Sequence, residues 1–173
     1  DKIIEENKKI NWYPEYVGTK RFANWLENMI DWGISRNRYW GCPLPVWTCS
    51  CGHKHVIGSL DELQSLVIED VDVRKIELHR PYVDDLHIKC SECGKTMERV
   101  KDVLDVWFDS GSMPYAQFHY PFENKELFEN QFPADFIAEG LDQTRGWFYV
   151  LLVISTIISG KSSFKNVVVN DMV

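Results

Sequence analysis

Ala134-Asp135-Phe136-Ile137-Ala138-Glu139-Gly140-Leu141-Asp142-Gln143-Thr144-Arg145-Gly146-Trp147-Phe148 is the stretch from which the architecture can be read. Phe136 to Ala138 is a short apolar run, preceded by Pro133 and ended by Glu139-Gly140, and it reads as a buried strand. Asp142 stands where a helix N-cap belongs, and a long apolar segment follows it to Ser159. After Gly160, Val167-Val168-Val169 reads as a second strand. Strand, helix and strand at this length make a βαβ unit of a parallel sheet. Ligands of such sheets bind beyond the carboxyl ends of the strands. Glu139, Gly140, Asp142 and Gln143 fall on that rim. Gly140 admits a ligand against the backbone, the carboxylates and the amide suit hydroxyls or an ammonium, and a helix N-terminus favours an anion.

Upstream, Val103-Leu104-Asp105-Val106-Trp107-Phe108 is dense in apolar groups and reads as a fully buried parallel strand. Trp107 then ends that strand, with Asp109-Ser110-Gly111-Ser112 on the rim. Trp147 lies on the helix that starts at the neighbouring rim. If the strands are adjacent, both indoles face one cavity. Two plain core tryptophans are the alternative. Asn124 can cap a short helix from Lys125 to Asn130.

Between the amino-terminal segment and this sheet lies a different kind of sequence. Cys49-x-Cys51-Gly52 and Cys90-x-x-Cys93-Gly94 are two close cysteine pairs, each followed by glycine. That is a zinc signal, and four thiolates satisfy tetrahedral zinc with no open position, so the site is structural. The single spacer in the first pair leaves room for His53 or His55 to replace one cysteine. Ser59-Leu60-Asp61-Glu62 is a capping box opening a short helix to about Leu66. Val67 to Glu77 reads as an exposed, irregular excursion, Asp72, Asp84 and Asp85 as a solvated acidic face, and Cys42 as a small packing residue. The whole is a small β-rich insertion that could not bury a core unaided.

At the amino end, Lys20 to Trp32 carries apolar residues at helical spacing and Gly33 ends it. Arg36 and Arg38 flank Asn37 on an extended segment and can project from one side. Their forked guanidiniums suit phosphate, against the plainer reading of a solvated basic edge.

Composition bounds these readings. The 173 residues carry 45% hydrophobic and 26% charged side chains and a net charge of −7, the make-up of an ordinary globular protein. That balance argues against a surface given over to nucleic acid. No signal peptide is evident, and the run from Trp147 to Ile158 is too short to span a bilayer. An intracellular, cytoplasmic location follows, where paired cysteines favour metal over disulfides. No membrane partner is expected. The sequence leaves the oligomeric state open, with a monomer the default.

Glu139-Gly140-Leu141-Asp142-Gln143-Thr144-Arg145-Gly146-Trp147-Phe148 closely resembles the isoleucyl-tRNA synthetase family of class I aminoacyl-tRNA synthetases. Three more stretches match that family in the expected order: Trp32 to Gly41, Asp105 to Ala116, and His119 to Asn124. The resemblance implies an α/β fold, the second half of a Rossmann-like class I catalytic domain with a small β-rich zinc-binding insertion. It implies residues 1–45 as a helical and loop segment of that domain, 46–103 as the insertion, and 104–173 as the β-α-β part.

It further implies activation of isoleucine with ATP and Mg2+, giving isoleucyl-adenylate, and transfer to tRNA(Ile). Glu139, Gly140, Asp142, Gln143, Trp107 and Trp147 are then the adenylate-binding residues, with the tryptophans walling the isoleucine side chain. Arg36 and Arg38 lie near the tRNA, and Cys49, Cys51, Cys90 and Cys93 hold structural zinc. No general acid, base or nucleophile is implied. The family's His-x-Gly-His and Lys-Met-Ser-Lys-Ser signatures are missing, and its editing domain is expected to be absent. The chain therefore reads as an excised piece, inactive alone. The competing reading is a zinc-stapled module that binds RNA or protein without catalysis.

Overall fold

The computed structural model describes residues 2–170. In chain order its regular elements are α1 (Lys2–Asn7), β1 (Asn11–Tyr13), α2 (Ala23–Glu27), β2 (Ser35–Arg36), β3 (Val46–Thr48), β4 (Lys54–Val56) and α3 (Leu60–Leu66). They continue with β5 (Ile88–Lys89), β6 (Thr96–Arg99), β7 (Val103–Leu104), α4 (Val106–Ala116), α5 (Lys125–Gln131), β8 (Ala134–Gly140), α6 (Trp147–Ser159) and β9 (Phe164–Asn170). The chain forms two compact units, one from the residues up to Trp32 together with those from Trp107 onward, the other Gly33–Val106.

The first unit is built on the βαβ arrangement β8–α6–β9. β9 is central, with β8 and β1 both parallel to it. The register pairs Ile137 with Val167 and Gly140 with Asn170, while Trp12 pairs with Val167 on the other side. All three carboxyl ends therefore lie on one rim. α6 ends where Gly160 takes the left-handed conformation at φ 71° and donates its N–H to Thr156 O, the C-terminal device that glycine permits.

α6 buries Phe148, Leu151 and Leu152 with Trp12, Phe22, Leu26, Phe164 and Val167 in the main core. Burying each such side chain is worth roughly 1.5–3 kcal/mol. β8 departs from the sequence reading: Phe136 is 65% exposed and only Ile137 and Ala134 pack on the core. β8 pairs only with β9 among the described strands, so its apolar run is not evidence of two covered faces.

Three more readings are corrected in this unit. Val103 to Phe108 is not a buried parallel strand: only Val103–Leu104 is strand, and it pairs antiparallel with β2. β7 stops at Leu104, and the apolar residues that follow open α4. Gly111 lets α4 lie against α6: a Cβ there would meet Ile154 Cδ1 at 2.6 Å and Val150 O at 3.0 Å. Gly111 thus marks a helix–helix approach, and Asp109 to Ser112 is helix rather than rim loop. Lys20 to Trp32 is not one helix. A π-helical turn, Val17–Phe22, runs into α2, which stops at Glu27 well short of Gly33. Asn124 precedes α5 but does not cap it. It is left-handed at φ 49°, and its side-chain amide donates to Phe118 O.

The second unit holds a four-stranded antiparallel sheet, order β4-β3-β6-β5, and a two-stranded pair, β2 with β7. Ser59 Oγ accepts the Glu62 N–H at 3.1 Å, as the capping box requires, while the Glu62 carboxylate reaches Gly58 N–H at 2.7 Å. The unit has a core of its own, with Trp47, Leu63, Val73, Val83, Leu86, Ile88 and Met97 buried together. The expected exposed excursion from Val67 to Glu77 is corrected by that core. Val73 is fully buried, because the Gln64 side chain donates to Val71 O and accepts from Val73 N–H, both at 2.9 Å, and folds the segment inward. Asp84 is likewise no solvated group. It lies between Arg80 and the fully buried guanidinium of Arg99.

Candidate functional site

The rim turn follows β8 directly. Leu141–Arg145 is a tight 3-10 turn, and Gly146 then opens α6. Asp142 is exposed and does not cap α6, contrary to the sequence reading. Gln143 does that work instead: its Oε1 accepts the Trp147 N–H at 2.7 Å, one of the donors every helix start leaves without an internal partner. Its Nε2 donates to Asp142 Oδ2 at 3.1 Å, which ties the two rim side chains together. Glu139 is exposed at the end of β8, and Gly140 is half-buried behind it. A Cβ on Gly140 would stand 2.6 Å from Asp142 Oδ1, so glycine lets the carboxylate fold over the strand end.

The two tryptophans lie where α4 approaches the start of α6. Trp107, in the first turn of α4, brings its ring to 3.1 Å from where a Gly146 Cβ would be. Trp147 Nε1 donates to Ser110 O at 3.3 Å, one turn further along α4. Trp107 is 41% exposed. A larger cavity, about 420 Å³, is lined by Trp147 with Met113, Phe132, Ala134, Ile137 and Phe164. It lies toward the amino ends of β8 and β9, away from the rim. A small cleft of about 30 Å³ among Pro14, Tyr16, Val17, Leu141 and Val169 sits at the carboxyl ends.

In the second unit, Cys49 and Cys51 come from the β3–β4 turn, and Cys90 and Cys93 from the β5–β6 turn. Matching backbone bonds shape the two knuckles: Gly52 N–H to Cys49 O and Gly94 N–H to Cys90 O, both 2.9 Å. Gly52 (φ 93°) and Gly94 (φ 71°) take conformations that other residues adopt poorly. The four Sγ atoms lie within 4.8 Å of one another, with Cys49 to Cys93 at 3.4 Å and Cys51 to Cys90 at 3.7 Å. A tetrahedron of thiolates around zinc, with Zn–S near 2.3 Å, has edges of about 3.8 Å. The cluster fits that ion.

The cluster also favours a first thiolate. The Cys51 backbone holds the Cys49 thiol down to about 6. Cys93, although the Lys95 backbone favours its thiolate, is pushed up to about 12 by hydrogen bonding to Cys49 and by burial. His53 and His55 stand apart from the four sulfurs. His53 Nε2 lies 3.4 Å from Ser91 Oγ, and His55 Nε2 lies 3.0 Å from Glu62 Oε1.

Arg36 and Arg38 part ways. Arg36 is half-buried, pairs with Asp105 at 2.5 Å and donates to Gly33 O at 2.6 Å. Arg38 is exposed. Sequence reasoning missed Arg99, which braces Asp84, Leu44 O and Asp102 O. It also missed Thr144, a fully buried hydroxyl in the rim turn. Neither falls in a recognisable pattern, since the partners of each are set by tertiary contact.

Comparison with known proteins gives one consistent answer. Residues 1–173 match the family of class I tRNA synthetases (I, L, M and V). The isoleucine–tRNA ligase of Clostridium acetobutylicum is 59% identical over 169 residues, covering 98% of this chain and 16% of that relative. That of Clostridium tetani is 59% identical over 170 residues, with the same shares covered. Isoleucine–tRNA ligase 2 of Bacillus cereus is 55% identical over 168 residues, covering 96% of this chain and 16% of the relative. The chain thus spans 16% of the length of these relatives. Among solved structures, Agrobacterium radiobacter K84 agnB2 LeuRS, in its ternary complex with tRNA and LeuAMS, is similar with a TM-score of 0.54 at 22% identity. It covers 88% of this chain and 22% of that chain, and the likeness is one of fold.

Proposed function

The chain belongs to the class I tRNA synthetase family (I, L, M and V), and from that premise we propose that it is the later part of the catalytic domain of an isoleucine–tRNA ligase. The observation that carries the reading is the 55–59% identity to isoleucine–tRNA ligases over nearly the whole chain. A zinc-stapled binding module without catalysis is not favoured, because the match extends through the βαβ unit and is not confined to the cysteine turns.

In this reading an isoleucine carboxylate oxygen attacks the α-phosphorus of ATP, and pyrophosphate leaves; Mg2+ brought with ATP would neutralise charge on the phosphates. A terminal ribose hydroxyl of tRNA(Ile) then takes the acyl group, and AMP leaves. Positioning and charge stabilisation suffice for both steps. Glu139 holds the substrate ammonium, Gly140 admits the ligand to the main chain, and Asp142 and Gln143 flank the aminoacyl or ribose part. Trp107 and Trp147 wall the side chain. Rigid rings can exclude larger or differently branched side chains, but a missing methylene is worth only about 1–3 kcal/mol, so valine is poorly rejected.

Arg38, exposed, is the better phosphate contact for tRNA, and Arg36 fixes its strand through Asp105. We assign residues 46–103 as the zinc-binding module, with Cys49, Cys51, Cys90 and Cys93 as the ligands. Zinc there has a structural part and no part in the chemistry. Among the described residues no helix is long and apolar enough to cross a membrane, and we assign the protein to the cytoplasm.

The test is amino-acid-dependent exchange of pyrophosphate into ATP by the full-length protein. Isoleucine should be the preferred substrate, valine a weak one, and leucine and methionine poorer still. Preference for leucine, valine or methionine would overturn the reading.

A further inference from the structure

The rim turn Leu141–Arg145 carries Asp142 and Gln143, yet no side chain caps its start at Gly140. Such a turn depends on tertiary bonds to keep one shape. Thr144 supplies them. Its hydroxyl is fully buried and donates to Leu141 O at 2.9 Å, closing the turn on itself. The same oxygen accepts from Arg21 Nε at 3.2 Å, across 123 residues of sequence.

Arg21 is itself held with care. It sits on the π-helical turn Val17–Phe22, a rare form of helix. Trp12 Nε1 donates to Asn7 Oδ1 at 3.0 Å, and Asn7 Nδ2 donates to Gly18 O at 3.2 Å, so a buried amide fixes that turn. Gly18 is obligatory there, since a Cβ would stand 2.1 Å from the Trp12 ring. On the other side of Thr144, the Arg145 guanidinium lies over the Trp25 ring, 5.0 Å from its centroid. A chain of contacts therefore runs from α1 and β1 through the π-helical turn into the rim.

We propose that Arg21 and Thr144 form a clamp that positions the rim turn, and through it Asp142 and Gln143, for the isoleucyl-adenylate; this deepens the function proposed above and rests on it. Neither residue touches the reacting atoms. They are positioning residues, and they act by removing alternative shapes of the turn before substrate arrives. Gln143 benefits directly. Its Oε1 reaches the Trp147 N–H while its Nε2 reaches Asp142, and the turn as held by Thr144 satisfies both.

The experiment compares Thr144→Val, Thr144→Ser and Arg21→Gln in the full-length protein. Two readouts are taken: KM and kcat in isoleucine-dependent pyrophosphate exchange, and amide hydrogen exchange at Gly146 and Trp147. Thr144→Val keeps the volume and loses the hydroxyl. It should raise KM for isoleucine about tenfold, the scale of a small misplacement, and weaken amide protection at those two positions alone. Arg21→Gln should do the same to a smaller degree, and Thr144→Ser should restore both readouts.

Unchanged protection in Thr144→Val would overturn the clamp, whatever the kinetics. So would a protection loss spread evenly over α6, or a fall in kcat and KM effects that Thr144→Ser fails to rescue. Absence of exchange in the wild type would count against the proposed function alone, because the protection measurement still decides the clamp.

Discussion

Two residues show how single contacts govern this molecule. Gly146 is hemmed in by Gln143 Oε1 at 2.6 Å and by the Trp107 ring at 3.1 Å from a built Cβ. Gly146→Ala must displace one or both. We expect it to cost about 1–3 kcal/mol, the usual range for overpacking, and to raise KM for isoleucine by moving Trp107. Thermal unfolding and exchange kinetics on the full-length variant check both parts, and an unshifted KM would contradict the second.

Asp84 governs acid behaviour. Burial disfavours its charge, but the guanidiniums of Arg99 and Arg80 outweigh that and hold the carboxyl below the usual carboxylate range. A lowered folded value means stability that is fully present above the unfolded value, near 3.9, and lost as pH falls through the folded one. Asp84→Asn should therefore destabilise fully above the unfolded value, and the difference from wild type should shrink as pH falls below it. Amide hydrogen exchange in the core around Trp47, followed against pH, reads this, and a difference independent of pH would contradict it.

At the scale of elements, sequence and structure agree where one signal dominates. β8, α6 and β9 were legible because an apolar helix with Gly160 behind it separates two β-rich runs. The cysteine knuckles and the Ser59 cap were legible for the same reason: each is a local motif. α4 was not, because residues 103–108 are apolar without a period, and Gly111 has its meaning only beside Ile154. The expected helix from Lys20 hid a π-helical turn that is braced from outside the segment by Asn7 and Trp12.

The positions of the rim residues were legible to the same degree. Glu139 and Gly140 follow from the strand end, but the capping role of Gln143 and the burial of Thr144 arise from packing that sequence spacing does not encode. One prediction belongs to this scale. Protein purified without chelator should contain one zinc per chain, and chelation should abolish amide protection across residues 46–103 while sparing α6 and β9. Metal content far below one, or uniform loss of protection, would contradict the cysteine assignment.

At the scale of the whole molecule the proposed function rests on the carboxyl rim of the parallel sheet, where Glu139 and Gly140 end β8 and Asp142 and Gln143 follow it. Glu139 is exposed, so its removal should leave stability within about 0.5 kcal/mol, as for surface substitutions generally. Its proposed partner is the ammonium of the substrate, and a charge-assisted bond of that kind is worth about 1.5–3 kcal/mol, or roughly ten- to a hundredfold in affinity. The direct measurement is calorimetric titration of full-length wild type and Glu139→Ala with a non-hydrolysable isoleucyl-adenylate analogue, alongside their unfolding midpoints. We predict saturable binding at one site in the wild type, at least about tenfold weaker binding in the variant, and equal midpoints. Equal affinities, or a variant that loses binding only in step with its stability, would contradict the assignment of this rim to the adenylate.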